Sequence, residues 1–117
     1  MTRALIAAML ILAAAPAEAA SSTAVTRLGE TVRLGPIRVT PVSIVEDSRC
    51  PRMVSCVWRG RLRIRAVVQG RGPVTLDDGV PLAVAGGRLT LLDAVPLSQH
   101  GEVPPPRAYR FRLRFER

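Results

Sequence analysis

The chain has 117 residues, a formal charge of +8 near neutral pH, two cysteines, one histidine and four aromatic side chains. That length suits one small domain with a single core. The cysteines and the lone histidine fall short of the about four ligands of a structural zinc site, and so few aromatics leave little for stacking on nucleic-acid bases. Every basic residue is arginine, and lysine and asparagine are absent. A GC-rich coding bias explains that choice, which weakens any argument from the planar, bidentate chemistry of arginine but leaves the charge excess standing.

Residues 1–19 read as a signal peptide: Arg3 supplies the positive start, Ala4 to Ala15 an apolar core, and Ala17-Glu18-Ala19 a small-x-small cleavage site. The apolar core is too short to span a bilayer comfortably, and no later stretch is long enough. Because the leader holds one base, Arg3, and one acid, Glu18, its removal leaves the charge excess unchanged. Residues 20–24, A-S-S-T-A, are expected to be a mobile lead-in, followed by one domain over 25–117.

Short strands are then expected in quick succession. Val25 to Leu28 and Thr31 to Leu34 flank a Gly29-Glu30 turn, and Gly35-Pro36 ends the second. Ile37 to Ile44 makes a longer strand in which Pro41 marks a bulge or an edge. After a corner at Glu46 to Met53, alternation from Val54 to Gln69 predicts a long strand: Cys56, Trp58, Gly60, Leu62, Ile64, Ala66 and Val68 face the core, and Arg59, Arg61, Arg63 and Arg65 face water. Trp58 is thereby expected to pack inside, beside the cysteines.

Val74 to Leu76 ends at an Asp77-Asp78-Gly79 turn; Leu82 to Val84 and Arg88 to Val95 flank Gly86-Gly87. Ser98 to Pro106 is a stiff loop, and Ala108 to Glu116 closes the chain with Tyr109, Phe111, Leu113 and Phe115 on one side and Arg110, Arg112 and Arg114 on the other. Val32-x-Leu34, turn, Ile37-x-Val39 resembles Leu82-x-Val84, turn, Leu89-x-Leu91, a match explained by convergence on hairpin patterning. Seven or eight short strands with frequent turns and no convincing helix predict an all-β fold, a small antiparallel β-sandwich, immunoglobulin-like or related.

Cys50 and Cys56 enclose P-R-M-V-S. In a short exported chain this favours a structural disulfide over a free pair, and C-x-x-C redox spacing is absent. Loop entropy for about seven residues gives only ~2.4 kcal/mol, so the bridge shapes the corner more than it holds the fold. The run D-S-R-C-P-x-x-V-x-C-V-W-x-G, Asp47 to Gly60, resembles a motif of short exported bacterial proteins and lipoproteins of uncharacterised function. The resemblance implies an exported all-β domain and brings no activity with it. This chain lacks the cysteine that lipoproteins carry at the cleavage point, so a periplasmic or secreted protein without a lipid anchor is expected.

Signals for catalysis are poor. His100 stands alone in a Gly/Pro-rich loop without a nucleophile motif, and the neighbouring acids Glu46-Asp47 and Asp77-Asp78 fit turns better than acid–base pairs. No enzyme activity, cofactor or metal is expected. The feature above background is arginine patterning: Arg59, Arg61, Arg63 and Arg65, with attachment points about 6.6 Å apart, and Arg110, Arg112 and Arg114. If both strands shared a sheet, seven guanidinium groups would line one face and attract an anionic partner, such as lipopolysaccharide, phospholipid headgroups or an acidic protein surface, but not nucleic acid in an exported setting. The bland reading is the wet face of an antiparallel sheet. The favoured expectation is a non-catalytic envelope binding domain using that face; the alternative is an inhibitor-like module that presents Arg52, Met53 and Val54 on the Cys50–Cys56 loop to a protease or another envelope enzyme.

Overall fold

The computed structural model describes residues 10–12, 21–99 and 101–117. The leader expected at 1–19, apart from Leu10, Ile11 and Leu12, lies outside the described residues, as does His100. The fold is all-β. Eight strands, β1 (Ser21–Thr26), β2 (Val32–Leu34), β3 (Ile37–Asp47), β4 (Leu62–Val68), β5 (Gly72–Asp77), β6 (Leu82–Val84), β7 (Gly87–Val95) and β8 (Arg110–Glu116), form two four-stranded antiparallel sheets with orders β1-β8-β7-β6 and β2-β3-β4-β5. A single 3-10 turn, Pro106–Ala108, precedes β8.

Alternation along the strands builds the core. Leu62, Ile64, Ala66 and Val68 of β4 meet Tyr109, Phe111, Leu113 and Phe115 on the inner faces, with Leu34, Val39, Leu89 and Leu91 filling in from the neighbouring strands. The sandwich expected from the sequence is therefore present, and it shares layering rather than strand order with an immunoglobulin domain.

Three sequence expectations are corrected. Residues 21–24 are not a lead-in: Ser21 to Thr26 pair along β8, from Ser21 opposite Glu116 to Thr26 opposite Phe111. The long strand from Val54 shrinks to Leu62–Val68, because β3 ends at Asp47 and β5 at Asp77 and neither offers a ladder to the residues before Leu62. Trp58 consequently lies outside the core and is 58% exposed.

The faint hairpin repeat extends to the entire fold. Val32 opposite Val39 becomes Leu82 opposite Leu89 when both members are moved by fifty positions. Moving β3 by fifty and β4 by forty-seven turns Val39 opposite Val68 into Leu89 opposite Phe115, and carries the bulge between Pro41 and Ser43 onto that between Leu91 and Asp93. The same shifts turn Leu76 opposite Ile64 into Thr26 opposite Phe111, read back from β5 to β1. Even the turn bonds repeat: Gly29 N–H donates to the Pro41 carbonyl and Gly79 N–H to the Leu91 carbonyl, both at 2.8 Å. The connectivity is thus two-fold. Each sheet takes three strands from one half of the chain and its fourth, β5 or β1, from the other, which convergence of two hairpins does not explain.

Candidate binding end of the sandwich

Both long connections, 48–61 between β3 and β4 and 96–109 between β7 and β8, emerge at one end of the sandwich, where the Arg52 N–H donates to the Ser98 carbonyl at 2.9 Å. The first is anchored by an ion pair in the protein body. Arg49 Nε lies 2.8 Å from Asp47 Oδ1, with side chains only 13% and 8% exposed. Arg49 also donates to the Ala94 carbonyl at 2.6 Å and to the Pro96 carbonyl at 3.3 Å, so one guanidinium ties the loop to the opposite sheet. The buried Tyr109 hydroxyl donates to Asp47 Oδ2 at 2.7 Å.

These contacts set the protonation of the group. Burial alone would raise the Asp47 carboxyl, but the hydrogen bonds from Arg49 and Tyr109 outweigh it and hold the carboxyl below its ordinary range. Burial, reinforced by the bond to Asp47, pushes the Tyr109 phenol up to about 12. A buried pair left half-broken is costly, which makes Asp47, Arg49 and Tyr109 one unit.

The rest of the motif has equally local reasons. Ser48 Oγ accepts from the Arg61 N–H at 3.0 Å and donates to Glu46 Oε1 at 3.1 Å, stitching the loop's entry to its exit. Gly60 has φ of +68°, and a Cβ there would collide with the Ser48 carbonyl, so the close crossing of the two strands of the loop requires glycine. Trp58 Nε1 donates to the Ser48 carbonyl at 3.3 Å, fixing the indole while leaving its rings exposed. Cys50 and Cys56 form a disulfide with a Cα–Cα distance of 5.8 Å.

Beyond this frame the loop is apolar and open to water. Met53 is 94% and Val57 98% exposed, and Val54 is about half exposed. Val95, the last residue of β7, and Val103, midway along the second connection, are exposed as well. Arg52 and Arg59 flank the apolar tip and are exposed, and neither pairs with a carboxylate among the described residues. An apolar patch ringed by charge marks an interaction surface more than a scattered exposed side chain does.

The arginine expectation is corrected in its geometry. β4 and β8 belong to different sheets, so Arg63 and Arg65 point away from one face of the sandwich and Arg110, Arg112 and Arg114 away from the other. Arg59 and Arg61 precede β4, and the positive φ of Gly60 between them breaks the alternating row. Several of these cations already have partners: Arg63 with Asp77, Arg112 with Asp93, Arg114 with Glu116 at 3.6 Å and Arg61 with Glu46 at 3.8 Å. The seven do not make one surface.

Beside the loop lies a cleft of about 360 Å³ between Arg59, Gly60 and Arg61 and the turn Asp77 to Val80. Its carboxylates are engaged: Asp77 by Arg63, whose hydrogen bond holds it below its ordinary value, and Asp78 by the Leu62 N–H at 2.9 Å. Among the described residues no three His, Cys, Asp or Glu side chains gather in a metal-ligating group, and no helix is long and apolar enough to cross a membrane. The sequence matches no family model, and neither a curated protein nor a solved structure is significantly similar to it.

Proposed function

We propose that this protein is an exported, non-catalytic binding module that docks its disulfide-closed loop, in the manner of an inhibitor, onto an envelope protein. The observation that carries this reading is the contrast within one loop. Its base is locked by the Asp47–Arg49–Tyr109 unit, the disulfide and the Gly60 crossing, while Met53, Val57 and Trp58 are held out in water. A loop already fixed loses little entropy on binding, and aromatic and methionine side chains are the types that anchor interfaces. The partner that fits is a protein with an apolar cleft and an acidic rim, to meet Arg52 and Arg59. The disulfide supports an oxidising compartment, and with it the export expected from the leader.

The division of the arginines between two faces is why the loop, rather than a single arginine face, is favoured. The test places a photo-crosslinker at Val57, identifies the partner captured from an envelope extract, and measures its affinity for wild type and for a Met53→Ser, Val57→Ser, Trp58→Ser variant. Hot-spot energetics of at least about 2 kcal/mol predict binding weakened by roughly 30-fold or more. Affinity unchanged in that variant, yet lost when Arg63 and Arg65 are neutralised, would overturn the reading.

A further inference from the structure

The two-fold connectivity supplies an internal control for charge, and one position departs from it. In the sheet of β6, β7 and β8, Arg88 lies opposite Glu116, 4.0 Å from its carboxylate, and its neighbour across the hairpin is Ala83. The equivalent arginine in the other sheet is Arg38, fifty positions earlier. The position equivalent to Glu116, forty-seven earlier, is the neutral Gln69, whose N–H donates to the Arg38 carbonyl at 2.9 Å. The position equivalent to Ala83 is a second arginine, Arg33, directly opposite Arg38.

One face therefore sets a carboxylate between its cations, Glu116 serving both Arg88 and Arg114, and the other leaves two cations opposite each other with none. Neither Arg33 nor Arg38 pairs with a carboxylate among the described residues. Like charges opposite each other on paired strands are destabilising, so this arrangement costs stability that the other half avoids.

The surroundings of Arg38 differ as well. Thr31, Arg38, Thr40, Val67 and Gln69 line a hollow of about 440 Å³ on the outer face. The Thr31 and Thr40 hydroxyls are 2.6 Å apart and bonded to each other, which leaves lone pairs free to accept and one proton free to donate. In the other half Val67 is replaced by the long side chain of Arg114, which lies opposite Thr90 and bridges to Glu116; Thr90, the equivalent of Thr40, is buried. The half that holds the carboxylate also covers its threonine.

We infer that this hollow, on the outer face of β2 and β3 and bounded by Val67 and Gln69, binds a phosphorylated sugar, with the phosphate on the Arg38 guanidinium and the sugar hydroxyls on Thr31, Thr40 and Gln69; Arg33 adds positive field from outside the hollow, its Nε donating to the Gly35 carbonyl at 3.3 Å. Guanidinium groups match phosphate oxygens in pairs, hydroxyl and amide groups suit a polyol, and Val67 gives the sugar ring an apolar floor. This site is separate from the loop end and stands or falls independently of it.

The test is a titration at low ionic strength with glucose 6-phosphate as the probe, and with glucose and inorganic phosphate as separate arms, followed by backbone amide shifts. Glucose 6-phosphate is expected to shift the amides of Arg33, Arg38, Thr40 and Gln69, more tightly than either arm alone. Gln69→Glu, which installs the carboxylate of the other half, is expected to weaken binding at least about 10-fold, since a like-sign carboxylate now competes for Arg38. Thr23→Glu adds the same charge to the opposite face and is expected to leave affinity within about 2-fold. Equal affinity in wild type and Gln69→Glu, equal loss in Thr23→Glu, or shifts confined to other residues would overturn the site. Inorganic phosphate bound as tightly as the sugar phosphate would overturn the sugar contact.

Discussion

Tyr109 is the only tyrosine in the chain, so its ionisation can be read directly from phenolate absorbance without a background of others. Burial, aided by the Asp47 carboxylate, raises its folded value to about 12 from an ordinary 10.0. A group whose folded pKa is raised contributes stability that is complete below the unfolded value and lost as pH climbs through the folded one. The expected result is a phenolate midpoint near 12 in the native protein, falling stability across pH 10 to 12, and a midpoint only part of the way back towards 10.0 in Asp47→Asn, because burial, the larger cause, remains. A native midpoint near 10 would mean that neither the burial of the phenol nor its bond to Asp47 holds in solution. Residues such as Asp47 and Gly60 show what the sequence could not convey. Their positions were conspicuous within the Cys50 to Trp58 neighbourhood, but the reasons for them are contacts with Tyr109 and with the Ser48 carbonyl, which no local pattern encodes.

At the scale of elements, the loop between β3 and β4 depends on two different fasteners. The disulfide closes the loop just beneath its apolar tip, and the Arg49 contacts to Asp47, Ala94 and Pro96 fasten it to the sandwich, the two together locking its base. Removing the bridge in a Cys50→Ser, Cys56→Ser variant is expected to cost about 2.4 kcal/mol by loop entropy, read as a lower urea midpoint with an unchanged slope, and to leave the far-ultraviolet spectrum intact. Loss of the whole fold would show that the bridge, not the Arg49 unit, carries the corner. Period-two alternation located β4 and β8 and their inner residues correctly, because alternation reports which face is wet. It overran into Cys56 to Gly60 because alternating apolar residues also suit a loop that displays them, and only the ends of β3 and β5 decide where pairing stops. Alternation likewise could not assign the arginine strands to one sheet or two, since partner choice is made by residues far apart in sequence.

For the whole molecule, the repeat makes a strong claim about where the chain can be cut. Ser21 is paired with Glu116, so the two ends of the domain are adjacent, and the link from β8 to β1 would be the equivalent of the Gln69 to Arg71 turn that joins β4 to β5. Joining Arg117 to Ser21 through a short glycine turn, and opening the chain at Gly70, is expected to give a permuted protein with the same disulfide and a melting temperature within several degrees of the parent. Residues at exposed turns tolerate such opening best. Failure of this permutant to fold, with the linear domain stable, would show that the order of assembly matters as well as the final pairing. The hairpin match around Val32 and Leu82 was visible in the sequence; the wider equivalence was hidden because so few positions keep their residue, while strand pairing keeps its register through the bulges.

The exchange of first strands also dictates a timetable. Within this domain a ribosome delivers β1 first and β8 last of the eight strands, yet β8 is the strand on which β1 lies, and it sits between β1 and β7. Until the final residues of the domain are made, the opening segment has no ladder to join and β7 presents a bare edge. A chain stopped a few residues short therefore loses an interior strand rather than a fringe, and the quality of the last seven-residue strand decides the fate of everything synthesised before it.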